Sequence, residues 1–250
     1  MRSHLVISDV QAKPGLIWNH LLALGRLIVD KKPDVIICIG DFWDFPSLSK
    51  YDEGHIEMEG RRVQKDIMAG NEAMQVLLSP LKQHQKTKAG KKYKPKMIFC
   101  MGNHEHRLAR HISQHPQLEG FLSFDHLRLE DWEVYGYLEV ANIDGVHYSH
   151  FFVNPMTGRP RGGTMQNLLN HVGFSFTMGH VQKLDFGRKD LNNGGCIMGL
   201  VTGAYYRHNE AYKGPQGNNH WRGVVLKHGV KNGIYDLETF SLNRVLREYL

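Results

Sequence analysis

The chain has 250 residues, 41% of them apolar, which is enough to bury one sizeable core, and it carries no apolar run approaching the ~18 residues that a membrane helix needs. Three cysteines without a C-x-x-C spacing exclude a disulfide framework and point to a reducing cytoplasm. A formal charge of +6 favours an anionic partner over a cationic one.

In chain order, an apolar segment at 5–8 begins close to Met1, which is expected to leave no room for a signal or transit peptide. Segments 35–39 and 97–101 have the same short, buried-strand character, and each ends in a small or polar residue. Between them the spacing is helical, with Ile17, Leu21, Leu24 and Ile28 on one face, and Val63, Ile67, Met74 and Leu78 on another. This alternation predicts an α/β layer with a largely parallel sheet. From Lys82 to Lys96 seven lysines occur with no acidic residue among them, read either as a solvated loop or as a contact to a nucleic-acid backbone.

The second half reads differently. Short strands are predicted at 134–140, 146–149, 174–178, 197–202, 224–228 and 234–237, separated by turn signals such as Asn142-Ile143-Asp144-Gly145 and Lys231-Asn232-Gly233. Few helices are expected there, so these strands predict a second antiparallel or mixed sheet. With no repeat or linker, residues 1–250 are expected to form one domain.

Ligands of open α/β sheets collect at the carboxyl ends of strands. The predicted ends here are Ser8-Asp9-Val10-Gln11, Gly40-Asp41-Phe42-Trp43-Asp44, Gly102-Asn103-His104-Glu105, Tyr148-Ser149-His150 and Gly179-His180-Val181-Gln182. Each alone is an ordinary turn, cap or surface residue. Five in succession, all offering oxygen or imidazole donors, match the ligation of divalent cations.

This ordered set resembles the calcineurin-like metallophosphoesterase family, whose pattern is D-x-H, G-D-x-x-D, G-N-H-D/E, a later His, and G-H-x-H. The motifs run from residue 9 to residue 182. The chain is also similar to small phosphoesterases encoded by bacteriophages, through the first two motifs and the segment from Gly214 to Gly223. The resemblance implies a four-layer α/β/β/α sandwich, two mixed sheets flanked by helices. It implies that Asp41 bridges two metals, that Asn103, His150 and His180 complete one site, and that Asp9 anchors the other. His104 would act near the leaving group, oriented by Asp44. His147 and His150 both compete for the later position, and His150 is preferred because it stands where strand gives way to loop.

Two positions depart from the pattern, since Gln11 and Gln182 stand where the family has histidines that serve one and the same metal. One tight site and one weaker site are therefore expected. Carboxylate and amide oxygens favour Mn²⁺ or Mg²⁺ at the weaker site, and imidazoles admit Zn²⁺ or Fe at the other. The alternative is that the glutamines ligate nothing and one metal suffices. The implied reaction is phosphoester hydrolysis by a metal-activated water, with phosphodiesters of nucleic acid as the first expectation. Trp43 is read either as packing within its own loop or as stacking on bases, a role open also to Trp221 beside Arg222, while Arg159 and Arg161 are read either as surface charges or as contacts to a phosphate. A phosphomonoesterase acting on nucleotides or phosphoproteins, or a nucleic-acid-binding module with a degraded site, are the alternatives. No membrane association is expected, and the place of action would be the cytoplasm, that of the host for a phage enzyme.

Overall fold

The computed structural model describes residues 1–210 and 213–250. Its elements in order are β1 (Arg2–Ile7), α1 (Asn19–Lys31), β2 (Val35–Cys38), α2 (Val63–Lys86), β3 (Lys96–Cys100), α3 (Asn103–Gln114) and β4 (Glu133–Tyr135). There follow β5 (Ala141–Ile143), β6 (Val146–Tyr148), α4 (Met165–Val172), β7 (Phe176–Met178), β8 (Asp185–Asp190) and β9 (Cys196–Val201). The chain closes with α5 (Gly214–Gly217), β10 (Gly223–Lys231), β11 (Ile234–Ser241) and α6 (Leu242–Tyr249).

One six-stranded sheet has the order β11-β10-β1-β2-β3-β4, and a five-stranded sheet has the order β5-β6-β7-β9-β8. In the first, β1 to β4 run parallel, while β10 and β11 are antiparallel additions. In the second, β6, β7 and β9 run parallel between antiparallel edges.

Period-two alternation explains the layering. Leu5, Ile7, Ile36, Cys38 and Phe99 point into a core shared with α1, α2 and α6. Val6, Val35, Ile37, Ile98 and Cys100 point the other way, onto Tyr148, Leu200 and Val225 between the sheets. Beyond the second sheet, Met165, Leu168 and Leu169 of α4 cover Phe176, Met178 and Val201. The result is the expected α/β/β/α stack of two mixed sheets flanked by helices.

Several expectations need correction. The 134–140 segment is strand only over β4 and pairs with β3, so it belongs to the first sheet. Segments 224–228 and 234–237 extend into β10 and β11, and β10 pairs with β1 through Arg2↔Val230 and Val6↔Val225. Edge strand β8 escaped notice because its sequence, Asp-Phe-Gly-Arg-Lys-Asp, has half-buried residues alternating with exposed ones and almost no apolar signal. Ile17 lies ahead of α1 and is 73% exposed, its core place being taken by Trp18. Among the described residues, no helix is long and apolar enough to cross a membrane.

Candidate metal centre

The carboxyl ends of β1, β2 and β3 in one sheet, and of β6 and β7 in the other, open onto a common spot. Tyr205, just beyond β9, ties the sheets together there by donating its N–H to Ser8 O and Asp9 O at 3.1 Å. Backbone strain is concentrated in these loops. Among the described residues ten non-glycines have left-handed backbone, and six of them are Asp9, Gln11, Asp41, Phe45, His180 and Gln182. Such conformations cost on the order of 1 kcal/mol or more each, and they persist where the surroundings over-determine them. The glycines ahead of the donors answer to crowding: a side chain at Gly102 would collide with Asp41 Oδ1, and one at Gly179 with Ser8 and Asp9.

Asp41, His150 and His180 each offer a ligand atom, and these atoms lie within 4.8 Å of one another. His150 Nδ1–H donates to Ile39 O (2.7 Å), which leaves Nε2 facing Asp41 Oδ2 (3.2 Å) and Asn103 Oδ1 (3.0 Å). A backbone carbonyl on one ring nitrogen, fixing the tautomer that presents the other, is how metal-binding histidines are oriented. His147 is elsewhere, bonded to Ser175 O and tilted against Phe174.

The electrostatics favour a cation at this spot. Burial opposes ionisation of Asp41, yet His104 and His150 hold its carboxyl well below the usual carboxylate range. Burial likewise opposes protonation of His150, but Asp41 and Asp9 raise its pKa to about 9. A buried carboxylate ringed by imidazole and amide oxygen, in a field that attracts positive charge, fits a divalent ion.

Beside this cluster stands a second group. His104 N donates to Asp41 Oδ1 (2.9 Å), and its ring Nδ1–H donates to Asp44 Oδ1 (2.8 Å). His104 Nε2 lies 3.6 Å from Asp41 Oδ2 and accepts from Arg107 Nη2 at 3.0 Å. Burial pulls the His104 pKa down, while Asp41 and Asp44 raise it to a net increase. Burial raises Asp44, but His104, Lys13 and Arg107 bring it to about 2, so it remains a carboxylate that holds the ring.

Asp9 is fully buried and saturated with donors. It accepts from His180 N (3.1 Å), from Gln182 Nε2 (3.2 Å) and from Ser8 Oγ. Gln182 Oε1 accepts from Tyr206 OH (2.9 Å) and from Lys213 Nζ. Gln11 is buried in the same loop, its N–H donating to Asp41 O (2.9 Å).

A chain that brings these donors together in this order is matched by the calcineurin-like phosphoesterase family model over residues 4–195. The chain belongs to that family. Among solved structures, it is similar to an archaeal phosphodiesterase at 12% identity, covering 95% of this chain and 99% of that one, with a TM-score of 0.40. It is similar to the phosphoesterase Yfce from E. coli at 12% identity, covering 96% and 100%, with a TM-score of 0.38. A third similarity is to Vps29 from Chaetomium thermophilum, at 7% identity over 96% and 98%, with a TM-score of 0.42. No curated protein matches the chain.

The substrate residues expected from sequence fare less well than the family motifs. Trp43 is 0% exposed, packed against Phe42 and edge-on to Phe99, with its ring under Gly70 of α2. It is a core residue and cannot stack a base. Trp221 is half-buried and its ring packs against Gly203 and Gly223. Arg161 donates to Val153 O (3.1 Å), Arg159 is exposed on the same loop, and neither guanidinium bonds to a residue of the centre. The lysine run ends at Lys96, the first residue of β3, so it lies at the opposite end of the strands from Asn103. Lys82 there pairs with Asp131 and Lys96 with Glu133.

Two sources of positive charge at the centre, Lys13 and Arg107, were passed over by sequence reasoning: Lys13 Nζ lies 2.7 Å from Glu210 Oε1 and 3.5 Å from Asp44 Oδ2, and Arg107 braces His104. Arg222, noted in the sequence beside Trp221, stacks 5.0 Å over the Tyr206 ring. Glu105 was also missed as a structural residue. Its buried carboxylate accepts from the N–H groups of Asp41 (2.9 Å), Phe42 (2.6 Å), Trp43 (2.9 Å) and Gly102 (2.8 Å), which binds the loops after β2 and β3 together. Burial and the charge of Asp41 push its pKa up to about 6, against the pull of Trp43 and Gly102 N–H. The fourth position of G-N-H-Glu was the available signal.

Proposed function

We propose that this phosphoesterase is a metal-dependent phosphodiesterase acting on nucleic acid, with residues 1–250 working as one catalytic unit. One observation carries the reading: Asp41, Asn103, His150 and His180 crowd around one point, directly beside a His104–Asp44 pair. A scaffold has no use for such a pair at such a point. The tight site is assigned to those four residues, with Mn²⁺ or Mg²⁺ preferred and Zn²⁺ or Fe admissible because of the imidazoles. Asp9, Gln11 and Gln182 form at most a weaker site for hard ions.

A divalent ion held there would lower the pKa of a bound water and neutralise charge on phosphoryl oxygens. The chain's own residues supply the rest. His104, locked through Nδ1 by Asp44, is placed to carry a proton at Nε2 toward the leaving oxygen. Arg107, already within hydrogen-bond reach of that nitrogen, can turn to a phosphate oxygen when the ring is protonated.

Two features support a nucleic-acid diester. The rim of Lys13, Arg107 and Arg222 suits a polyanion, and the stacked His106–Tyr137 pair (centroids 4.1 Å apart) offers a half-buried aromatic face for a base. Phe45 follows Asp44, where protein Ser/Thr phosphatases carry Arg-Gly, which argues against a phosphoprotein substrate. The similarity to phage phosphoesterases rests on sequence segments alone and makes a host cytoplasm the proposed place of action. The test is a Mn²⁺ assay of bis-nitrophenyl phosphate against nitrophenyl phosphate, followed by single- and double-stranded DNA and RNA. Faster diester turnover and cleavage of a nucleic acid are expected; preference for the monoester would overturn the assignment.

A further inference from the structure

The Asp9 side of the centre is poorly built for a second ion. Gln182 lies with Nε2 toward Asp9 Oδ1 and Oε1 toward Lys213 Nζ and Tyr206 OH. These neighbours fix its orientation, because an ammonium has only donors and an ionised carboxylate only acceptors. To ligate a cation on Asp9, the amide would have to turn its oxygen inward and set its NH₂ against the Lys213 ammonium. Gln11, the other residue that departs from the family histidines, brings no charge.

Lys213 sits as a cation would. It is half-buried and bonds Gln182 and Tyr206 OH (3.0 Å); burial lowers its pKa, and the attraction of Asp9, Glu210 and Asp44, set against repulsion from Arg222, offsets only part of that cost. A divalent ion on Asp9 would stand close to this ammonium, and like charges at such range in a partly dry site repel strongly. The two histidine-to-glutamine departures and the lysine thus make one coherent change: neutral amides replace imidazole ligands, and one of those amides serves as the acceptor for an internal cation.

We propose that Lys213 supplies the second positive charge of this centre, so that the working enzyme holds one divalent ion and one ammonium. The catalytic meaning of this rests on the phosphoesterase reading; the ion count does not. The lysine would face the phosphoryl oxygens from the Asp9 side, neutralising charge as the ester bond is cleaved.

The test uses the full chain, stripped with a chelator and titrated with Mn²⁺, with bound Mn²⁺ counted after gel filtration and its EPR spectrum recorded. Wild type is expected to hold one Mn²⁺ with the spectrum of an isolated ion. Lys213→Met should still hold one Mn²⁺ and melt as wild type does, yet lose about 100-fold in kcat on a phosphodiester; Lys213→Arg should recover part of the loss. Adding Gln11→His and Gln182→His to Lys213→Met should admit a second Mn²⁺ and give an exchange-coupled spectrum. Should that triple variant not fold, the wild-type count and Lys213→Met decide the matter. Two Mn²⁺ of similar affinity in wild type, or an unchanged kcat in Lys213→Met, would overturn the proposal. A wild type that binds one Mn²⁺ but hydrolyses no phosphoester would refute the function reading while leaving the single-ion count standing.

Discussion

Replacing Glu105 by alanine removes the acceptor for four backbone N–H groups, those of Asp41, Phe42 and Trp43 in the buried loop after β2 and that of Gly102 in the loop after β3. An orphaned buried donor costs roughly 1–3 kcal/mol. Water entering the vacated space restores some partners, so the low end applies, and four donors give a loss of about 4 kcal/mol. For a chain of this size each kcal/mol moves the melting midpoint by ~2–4 °C, which makes the expected fall about 8–16 °C. Differential scanning calorimetry of the metal-stripped protein at neutral pH measures it. Glu105→Gln keeps the volume and one oxygen but turns an NH₂ group toward a donor, so its midpoint should fall between those of wild type and alanine. Because these two loops position Asp41 and Asn103, the alanine variant should also bind Mn²⁺ more weakly. A midpoint within ~2 °C of wild type for Glu105→Ala would show that Glu105 does not hold the loops together.

Three further substitutions probe separate parts of the account. His104→Ala should lower kcat by ~10²–10⁴-fold while leaving Mn²⁺ binding intact, read by steady-state kinetics and metal counting; undiminished turnover would remove His104 from the reaction. Lys227 is fully buried between the sheets, against Thr177 Oγ1, Tyr148 OH and the Tyr235 ring, and burial drives its pKa well below the ordinary lysine value. The unfolded chain therefore binds a proton that the folded chain does not, and stability rises with pH up to the ordinary lysine range. Lys227→Met should raise stability at pH 7 by on the order of 2 kcal/mol and flatten that rise, and a lower midpoint would contradict the assignment. His20 is 3% exposed, and burial, with Arg207 and His208 adding to it, lowers its pKa to about 4. Its contribution is fully present at neutral pH and is lost as pH falls from ~6.5 toward 4, by about 3 kcal/mol. His20→Phe should be less acid-labile than wild type over that window, whereas parallel midpoint-versus-pH curves would refute the shift.

How far the chain was legible depends on how local each signal is. Asp9, Asp41, Asn103, His150 and His180 could be read because each follows a short apolar strand and carries its own glycine or turn context, and the parallel strands then gather those ends. The return of β10 and β11 to the first sheet was not legible, since the ladder Arg2↔Val230 joins residues more than two hundred positions apart and no local pattern names the partner of an apolar strand. Trp43 misled for a related reason: on sequence it stands next to Asp44 and two positions from Asp41, while in the fold the loop turns its ring under α2. The lysine run was visible as composition, but which end of the sheet it occupies is decided by strand direction. Lys213 reaches Gln182 from 31 positions away, and its approach could not be read from either motif.

The most direct measurement is an anomalous difference map from crystals of the metal-stripped protein soaked in Mn²⁺. A peak bounded by Asp41, Asn103, His150 Nε2 and His180 is predicted, and it should vanish in Asp41→Ala. No peak among those side chains, or a peak only at another place on the molecule, would contradict the account.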